Sequence, residues 1–418
     1  MTLFSVSDPA VPATDSNAPD FALAERHKPI ICLDAQEVAP PLVLGYSVMR
    51  AAGASPSSKF ALTPPPGGAV IEYAIWHDWD IQHLYDLEHV WVHVDANGAV
   101  VRIEGTMHGL RVCTDTGSGL PEMQGGRPVL YSEPGKHAIW AQAHVIPFIA
   151  GEMISTVCGP EAGEEGIHLG NRFADAGAYS ATAHEIRLAR LALTRAAFVP
   201  SFDFAPGAEP ALVPYAELEA WIPARMQALI RALPERVPHL AALFLDCGDT
   251  LIDEGTEVKI DGSEIVTEAE EIPHAMDAVR QLHAEGHNLV LVADGPPETF
   301  QNLLQPRGIW DLMQGHVISG NIGELKPSPK MFAAAMDVLD LDDEARGRVV
   351  MVGNNLSRDI KGANEFGLKS LFVAWSKRRS QHPADASEVP DFTIETLDQL
   401  TAMINEIELS LTDEAHHG

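Results

Sequence analysis

The stretch Asp246-Cys247-Gly248-Asp249-Thr250, directly after the apolar run Leu243-Phe244-Leu245, decides the fold of the C-terminal half of this chain. An apolar run that ends in an acidic residue and a glycine-containing turn is typical of a buried parallel strand. Its last residues then lie at the carboxyl edge of the sheet, where open α/β sheets bind ligands. We therefore predict that Asp246 lies in a functional site.

Two later apolar runs end in the same way. Residues 289–292 lead to Asp294, and residues 349–352 lead to Asn354, with Asp359 just beyond. Between these runs, Lys326 stands on a loop in front of a predicted helix. Strands that alternate with helices in this manner predict an α/β, Rossmann-like domain with these side chains gathered at one edge of its sheet.

The three strand ends and the lysine, in this order, resemble the haloacid dehalogenase-like (HAD) hydrolase superfamily over about residues 240–400. The resemblance implies that Asp246 attacks phosphorus or carbon and that Lys326 steadies the charge. It places Asp294 at the second strand end, among the catalytic candidates. It also implies a Mg²⁺ site, whose ligands would be Asp246, the Gly248 carbonyl, Asn354 and Asp359.

Three positions depart from the phosphatases of that superfamily. Gly248 stands where they carry a second aspartate as general acid, Ala293 replaces a serine or threonine, and Asn354 replaces an acid. The leading hypothesis is phosphate-ester hydrolysis with weakened proton transfer, because phosphoryl transfer depends mostly on positioning and charge neutralisation. A dehalogenase is one alternative, since members with that chemistry lack the second aspartate. A scaffold that no longer catalyses is another.

The gap between Thr250 and a helix predicted to start near Glu271 is only about twenty residues, which is too short for a full cap domain. An uncapped site either accepts a bulky substrate or is covered by another part of the chain. We therefore expect the N-terminal region to help shape the substrate site.

The composition of the whole chain excludes several kinds of partner. The 418 residues carry a formal net charge of -31, which opposes binding to nucleic acid or to an anionic membrane surface. An integral membrane protein is not expected, because no apolar stretch reaches about 18 residues. The four cysteines are scattered, so neither a zinc site nor a disulfide framework is indicated. Without a recognisable export signal, we expect a cytoplasmic protein.

The region from Ala69 to Tyr131 consists of short β-rich pieces, and Asp95-Ala96-Asn97-Gly98 between two of them is a hairpin signal. We therefore predict an antiparallel β domain. Asp86 and Glu88 are two residues apart and face one side of a strand, which is costly unless a cation or protons neutralise them. His83 and His137 could add nitrogen ligands to a divalent metal of open identity. The alternative is a solvated strand face with hydrogen-bonded histidines.

The same region resembles the necrosis-inducing cytolysins, a family of metal-binding β-sandwiches. Residues 82–88, Gln-His-Leu-Tyr-Asp-Leu-Glu, align with the signature Gly-His-Arg-His-Asp-Trp-Glu, and the likeness covers about residues 28–205. Members of that family bind sphingolipid head groups, and we carry over the fold and the metal site but not the toxicity. The resemblance implies a second divalent-metal site, with ligands Asp80, His83, Asp86, Glu88 and His137.

These observations predict two domains: an N-terminal antiparallel β-sandwich and a C-terminal α/β Rossmann-like domain without a full cap. The boundaries that we predict are a disordered arm at 1–28, a β-sandwich at 29–205, a linker and connecting helix at 206–238, the HAD-like domain at 239–408 and a tail at 409–418. The leading function is a small-molecule phosphatase. One alternative is a metal-dependent module for glycans or lipid head groups, and another is a hydrolase with its catalytic metal in the N-terminal domain.

Overall fold

The computed structural model describes residues 6–114 and 119–412. The chain divides into two compact units, Met1–Val237 and Pro238–Gly418. No helix in the described ranges combines the length and the apolar character that a membrane crossing requires.

The first unit is built on two mixed β-sheets. Its strands are β1 (Ile30–Asp34), β2 (Val43–Met49), β3 (Gly53–Ala54), β4 (Ala61–Leu62), β5 (Ala69–Trp79), β6 (His83–Val94), β7 (Val100–Met107), β8 (Leu110–Cys113), β9 (Met123–Gln124), β10 (Arg127–Ser132), β11 (Ile139–Trp140), β12 (Gly166–Ile167), β13 (Phe204–Pro206) and β14 (Ala211–Pro214). One sheet has the order β14-β2-β5-β6-β7-β8, with β12 beside β6, and the other has the order β11-β10-β1-β13, with β9 beside β10.

Both sheets of the first unit contribute to apolar cores. One core takes side chains from the two sheets, among them Leu130 and Ile139 from one and Ile71 and Val90 from the other. A second core lies where Trp76 meets the helices of this unit. The helices are α1 (Phe21–His27), α2 (Ile146–Ile149), α3 (Gly151–Cys158), α4 (Arg172–Asp175), α5 (Ala183–Arg195) and α6 (Tyr215–Arg236).

The prediction that the first domain is antiparallel is wrong in part. The hairpin partners β5, β6 and β7 are antiparallel, but β1 pairs with β10, β2 with β14 and β6 with β12 in parallel. Parallel partners need long crossover connections, so a local hairpin signal does not reveal them. A β-rich first unit is therefore present, and the β-sandwich fold that the cytolysin resemblance implies stays a prediction.

The segments predicted to flank this domain are part of it. Within the predicted arm, α1 buries Ala24, and the Ala10 carbonyl accepts a hydrogen bond of 2.8 Å from Trp221 Nε1. Within the predicted linker, β14 extends the larger sheet and α6 buries its apolar face, including Leu218, in the core of the first unit. Periodicity predicted the helix but not the sheet edge that receives β14. Residues 1–5 of the arm and 413–418 of the tail lie outside the described residues.

The second unit is a six-stranded, all-parallel sheet of order β19-β18-β15-β20-β21-β22. Its sheet strands are β15 (Ala242–Leu245), β18 (Leu289–Ala293), β19 (Gly315–Ile318), β20 (Val349–Gly353), β21 (Lys369–Val373) and β22 (Phe392–Ile394). Its helices are α7 (Ala275–Ala284), α8 (Pro297–Leu304), α9 (Ser319–Ile322), α10 (Pro329–Val338), α11 (Lys361–Phe366) and α12 (Leu400–Leu409). Between Thr250 and α7, the strands β16 (Val258–Lys259) and β17 (Val266–Glu268) form a short antiparallel hairpin.

Candidate active site

Asp246 lies at the carboxyl end of β15, a central strand between β18 and β20. Its main-chain N–H donates to the Val352 carbonyl at 3.0 Å, so the sheet ladder fixes its backbone. Thr250 Oγ1 donates to Asp246 Oδ2 at 3.2 Å. The Asp246 carboxylate is thus held at the rim of a rigid sheet, which is where a nucleophile is most accurately positioned.

The side chain of Lys326 contacts residues at or just beyond the ends of three strands, β15, β18 and β20. Its buried Nζ lies 2.7 Å from Asp246 Oδ1 and 2.6 Å from Asp359 Oδ1, and it donates to the Val292 carbonyl at 2.8 Å. Burial opposes the charged form, but the two carboxylates outweigh burial and raise the pKa of Lys326. Lys326 is therefore a fixed positive charge beside Asp246.

Asp294 supports this lysine from the end of β18. Its Oδ1 accepts a hydrogen bond of 3.0 Å from the Lys326 main-chain N–H, and its Oδ2 lies 3.1 Å from Arg358 Nη1. The carboxylate therefore fixes the loop that carries Lys326 and orients Arg358. Asp294 thus contacts residues beside Asp246, and its part in catalysis stays a prediction.

Asp359 lies on a π-helical turn, Leu356–Ile360, that follows β20. Its Oδ2 accepts a hydrogen bond of 2.9 Å from the Asn355 N–H. Burial, and next the negative charge of Asp246, raise the pKa of Asp359 to about 7 despite the ammonium of Lys326. The preceding residue Asn354 is buried, and its Nδ2 has no hydrogen-bond partner among the described residues.

These residues fit a divalent cation. The carboxyl groups of Asp246 and Asp359 both approach the ammonium of Lys326, so two buried carboxyl groups share one positive charge. Oxygen donors are the ligands that Mg²⁺ prefers, and such a cation would favour the ionised form of both carboxyl groups. The carboxylates of Asp246 and Asp359 and the carbonyl oxygen of Gly248 are the groups that would hold it, with Asn354 beside them.

A cavity of about 360 Å³ opens beside Asp246. Its apolar wall includes Ile252, Val266, Phe300 and Leu303. Its charged lining comprises Asp246, Glu254, Glu257, Lys259, Glu264, Asp294, Lys326, Arg358, Asp359 and Arg379. Sequence reasoning missed Glu254, Arg358 and Arg379, because they lie on turns and loops without a periodic pattern.

The aspartate next to Gly248 does not face this cavity. Asp249 has a positive φ of 53°, and its buried Oδ2 accepts hydrogen bonds of 2.9 Å from Ser376 Oγ and from Arg378 Nε. A carboxylate bound in this way fixes the turn after β15. Asp249 therefore does not replace the general acid that is missing at Gly248.

The residues predicted to form a metal site in the first unit do not gather into one group. Asp80 forms an ion pair with Lys136, and its Oδ1 accepts hydrogen bonds of 2.8 Å from the N–H groups of Gln82 and His83. This carboxylate is engaged in a turn and an ion pair. Glu88 contacts Thr106 Oγ1, and burial, followed by the charge of Asp86, raises the pKa of Glu88 to about 8.

The His137 imidazole lies between two buried carboxylates of this region. His137 Nδ1 lies 2.6 Å from Asp86 Oδ2, and its Nε2 lies 3.4 Å from Glu37 Oε1. Burial opposes the imidazolium, but Glu37 and Asp86 outweigh burial and raise the pKa of His137 to about 10. The His77 ring stacks on His137 with centroids 3.7 Å apart. His77, Asp86 and His137 each place one ligand atom within 4.8 Å of the others, so a metal site at Asp86 and His137 stays a prediction.

The parallel sheet and its Asp–Lys–Asp cluster are those of an α/β enzyme with a candidate aspartyl nucleophile. A family model described as haloacid dehalogenase-like hydrolase matches residues 129–367, more than half of the chain. The chain therefore belongs to the haloacid dehalogenase-like hydrolases, which confirms that part of the sequence prediction. Members of this family generally use Mg²⁺.

Curated relatives match a shorter segment. A glyceraldehyde 3-phosphate phosphatase of Methanopyrus kandleri is 31% identical over 135 residues, which cover 32% of this chain and 57% of the relative. An N-acylneuraminate-9-phosphatase of Mus musculus is 27% identical over 124 residues, which cover 30% of this chain and 48% of the relative. The chain thus spans about half the length of these relatives. The magnesium-bound HAD-hydrolase YfnB of Bacillus subtilis matches at 16% identity with a TM-score of 0.33, over 40% of this chain and 99% of that chain.

Proposed function

We propose that this protein is a Mg²⁺-dependent phosphatase that hydrolyses phosphate esters of small molecules through an aspartyl nucleophile. The observation that carries the proposal is the buried cluster in which Lys326 Nζ lies 2.7 Å from Asp246 and 2.6 Å from Asp359. The phosphatase names of the relatives support the choice of phosphorus as the attacked atom. A cavity of about 360 Å³ is sufficient for a small organic phosphate.

The residues of the cluster perform a reaction in two halves. An Asp246 oxygen forms a bond to phosphorus while the bond from phosphorus to the ester oxygen breaks. Water then forms the new bond to phosphorus, and the aspartyl bond breaks to restore the carboxylate. Lys326 neutralises the charge on Asp246 and on the transferring group, and Asp294 keeps Lys326 in place.

A bound Mg²⁺ would screen the negative charges of the phosphate and of Asp246. Removal of the metal by EDTA is therefore expected to lower the turnover of a phosphate ester by about 10²-fold or more, because metal charge stabilisation is worth several kcal/mol. Added Mg²⁺ should restore the rate. Phosphate release is the measurement, over a panel of small phosphate esters.

The matched variant for this experiment is Asp359→Asn, which should weaken activation by Mg²⁺. The control is Asp277→Asn, at a carboxylate on α7 whose side chain is 85% exposed. Undiminished phosphate release in EDTA, or the same Mg²⁺ dependence in Asp359→Asn and Asp277→Asn, would contradict a metal at this site.

A second candidate function, metal binding by the first unit, is favoured by a group that only partly overlaps the predicted ligand set. His83, Glu165 and His168 place one ligand atom each within 4.8 Å of one another. The His83 Nδ1 lies 3.0 Å from the Tyr85 carbonyl, so its N–H points there and Nε2 is left as a lone-pair donor. Such a carbonyl contact is the usual support of a metal-ligating histidine. We propose a transition-metal site at this group.

Titration calorimetry with Zn²⁺ tests the second candidate. With Mg²⁺ in excess to occupy the second unit, wild type should bind Zn²⁺ at this group, and His168→Asn should bind it at least about 10-fold more weakly, since one nitrogen ligand is lost. His144→Asn is the control, because His144 is an exposed histidine of the same unit. Equal Zn²⁺ affinities in the two variants would exclude this group as the ligand set.

A further inference from the structure

The cavity contains a carboxyl group in the space that residue 248 leaves empty. Gly248 has no side chain, yet a Cβ built on its backbone would overlap Oε1 of Glu254. A side chain at position 248 would therefore point to the place where the Glu254 carboxyl group already lies. Both residues line the same cavity as Asp246 and Lys326.

Glu254 is held in that place from two sides. Its main-chain N–H donates to Asp249 Oδ1 at 3.1 Å, and Asp249 is itself fixed by Ser376 and Arg378. Arg379 Nη2 donates to the two carboxylate oxygens of Glu254 at 2.9 and 3.1 Å. Gly248 thus leaves the site without a carboxyl group at that position, whereas Asp249 anchors the turn that presents the carboxyl group of Glu254.

We propose that Glu254 is the proton-transfer residue of the reaction and replaces the side chain that is absent at Gly248. This inference rests on the proposed phosphatase function. As the Asp246 oxygen bonds to phosphorus and the ester bond breaks, the ester oxygen takes the proton of the Glu254 carboxyl group and leaves as an alcohol. In the second half, the Glu254 carboxylate takes a proton from the water whose oxygen bonds to phosphorus.

The leaving group provides the test, because an alkoxide needs a proton to leave whereas a nitrophenolate leaves without one. Glu254→Gln should lower kcat for an alkyl phosphate ester by about 10²-fold or more, the usual size of general acid catalysis. It should leave the rate constant for formation of the aspartyl intermediate from p-nitrophenyl phosphate, measured as the burst of nitrophenolate, nearly unchanged. Retained nitrophenolate release also reports that the variant is folded.

Glu268→Gln is the matched control, since Glu268 is an exposed glutamate of β17 that does not line the cavity. It should leave the hydrolysis of both esters unchanged. The double variant Gly248→Asp/Glu254→Ala should recover activity on the alkyl ester relative to Glu254→Ala, because it moves a carboxyl group into the vacated space. Alkyl activity that stays at the level of Glu254→Ala would count against the proposal.

Equal losses on both esters in the rate of formation of the aspartyl intermediate in Glu254→Gln, or no loss on either, would overturn the inference. Either result leaves the proposed function intact, since Asp246 and Lys326 act without this proton transfer. Failure of the proposed function looks different, because wild type would then release no phosphate from either ester.

Discussion

Asp246→Asn is expected to lower phosphate-ester hydrolysis by about 10⁴-fold or more, since removal of a covalent nucleophile leaves only binding and charge stabilisation. The amide is nearly the same size as the carboxylate, and it still accepts the hydrogen bond from Thr250 Oγ1. What it loses is the negative charge that attacks phosphorus and pairs with Lys326. Phosphate release from the panel of esters is the measurement.

The control for this variant is Asp261→Asn, because Asp261 is exposed in the hairpin turn of the same unit. Its activity should equal that of wild type. Asp246→Asn should keep the wild-type circular dichroism spectrum, since the backbone of residue 246 is fixed by the sheet and not by its side chain. Wild-type turnover in Asp246→Asn would contradict the proposed nucleophile.

His137→Gln is expected to destabilise the first unit by about 3–5 kcal/mol, which is the usual cost of breaking a buried ion pair. The substitution leaves the buried carboxylates of Asp86 and Glu37 without their positive partner. Burial raises the pKa of each carboxyl group, but the positive charge and hydrogen bond of His137 outweigh burial. The pKa of Glu37 and that of Asp86 are therefore lowered to about 2. Hydrogen exchange of the amides in β5 and β6, measured by mass spectrometry, reports on this unit alone.

The same ion pair sets a pH dependence. The pKa of His137 is about 10 in the folded unit and about 6.5 in an unfolded chain. Its stabilising contribution is therefore complete below about pH 6.5 and is lost as the pH rises through about 10. Wild type should lose protection over this window, and His137→Gln should not. Exposed His144→Gln is the control, and unchanged protection in His137→Gln would refute the imidazolium assignment.

Much of the second unit follows from local sequence. The runs that form β15, β18 and β20 are apolar throughout because both faces of the sheet are covered, so they stand out without any alignment. Parallel strands present their carboxyl ends at one edge, which is why Asp246, Lys326 and Asp359, far apart in sequence, meet there. Glu254 was missed because its place depends on the irregular turn after Asp249 and on a distant arginine.

The first unit shows where local patterns fail. Its hairpin strands were predicted, but its parallel partners arrive after long connections that leave no periodic signal. His137 pairs with Asp86, and His77 lies opposite Asp86 across the β5–β6 pair. The metal site predicted at Asp86 and Glu88 stays a prediction. The cytolysin resemblance and the contribution of this unit to the substrate site stay predictions.

The aspartyl nucleophile is tested most directly by a rapid-quench experiment on wild type with a phosphate ester, followed by peptide mapping by mass spectrometry. We expect a phosphoryl group on the peptide that carries Asp246, labile to hydroxylamine, and none in Asp246→Asn. Phosphate release without such a peptide, or with the phosphoryl group on another residue, would contradict it.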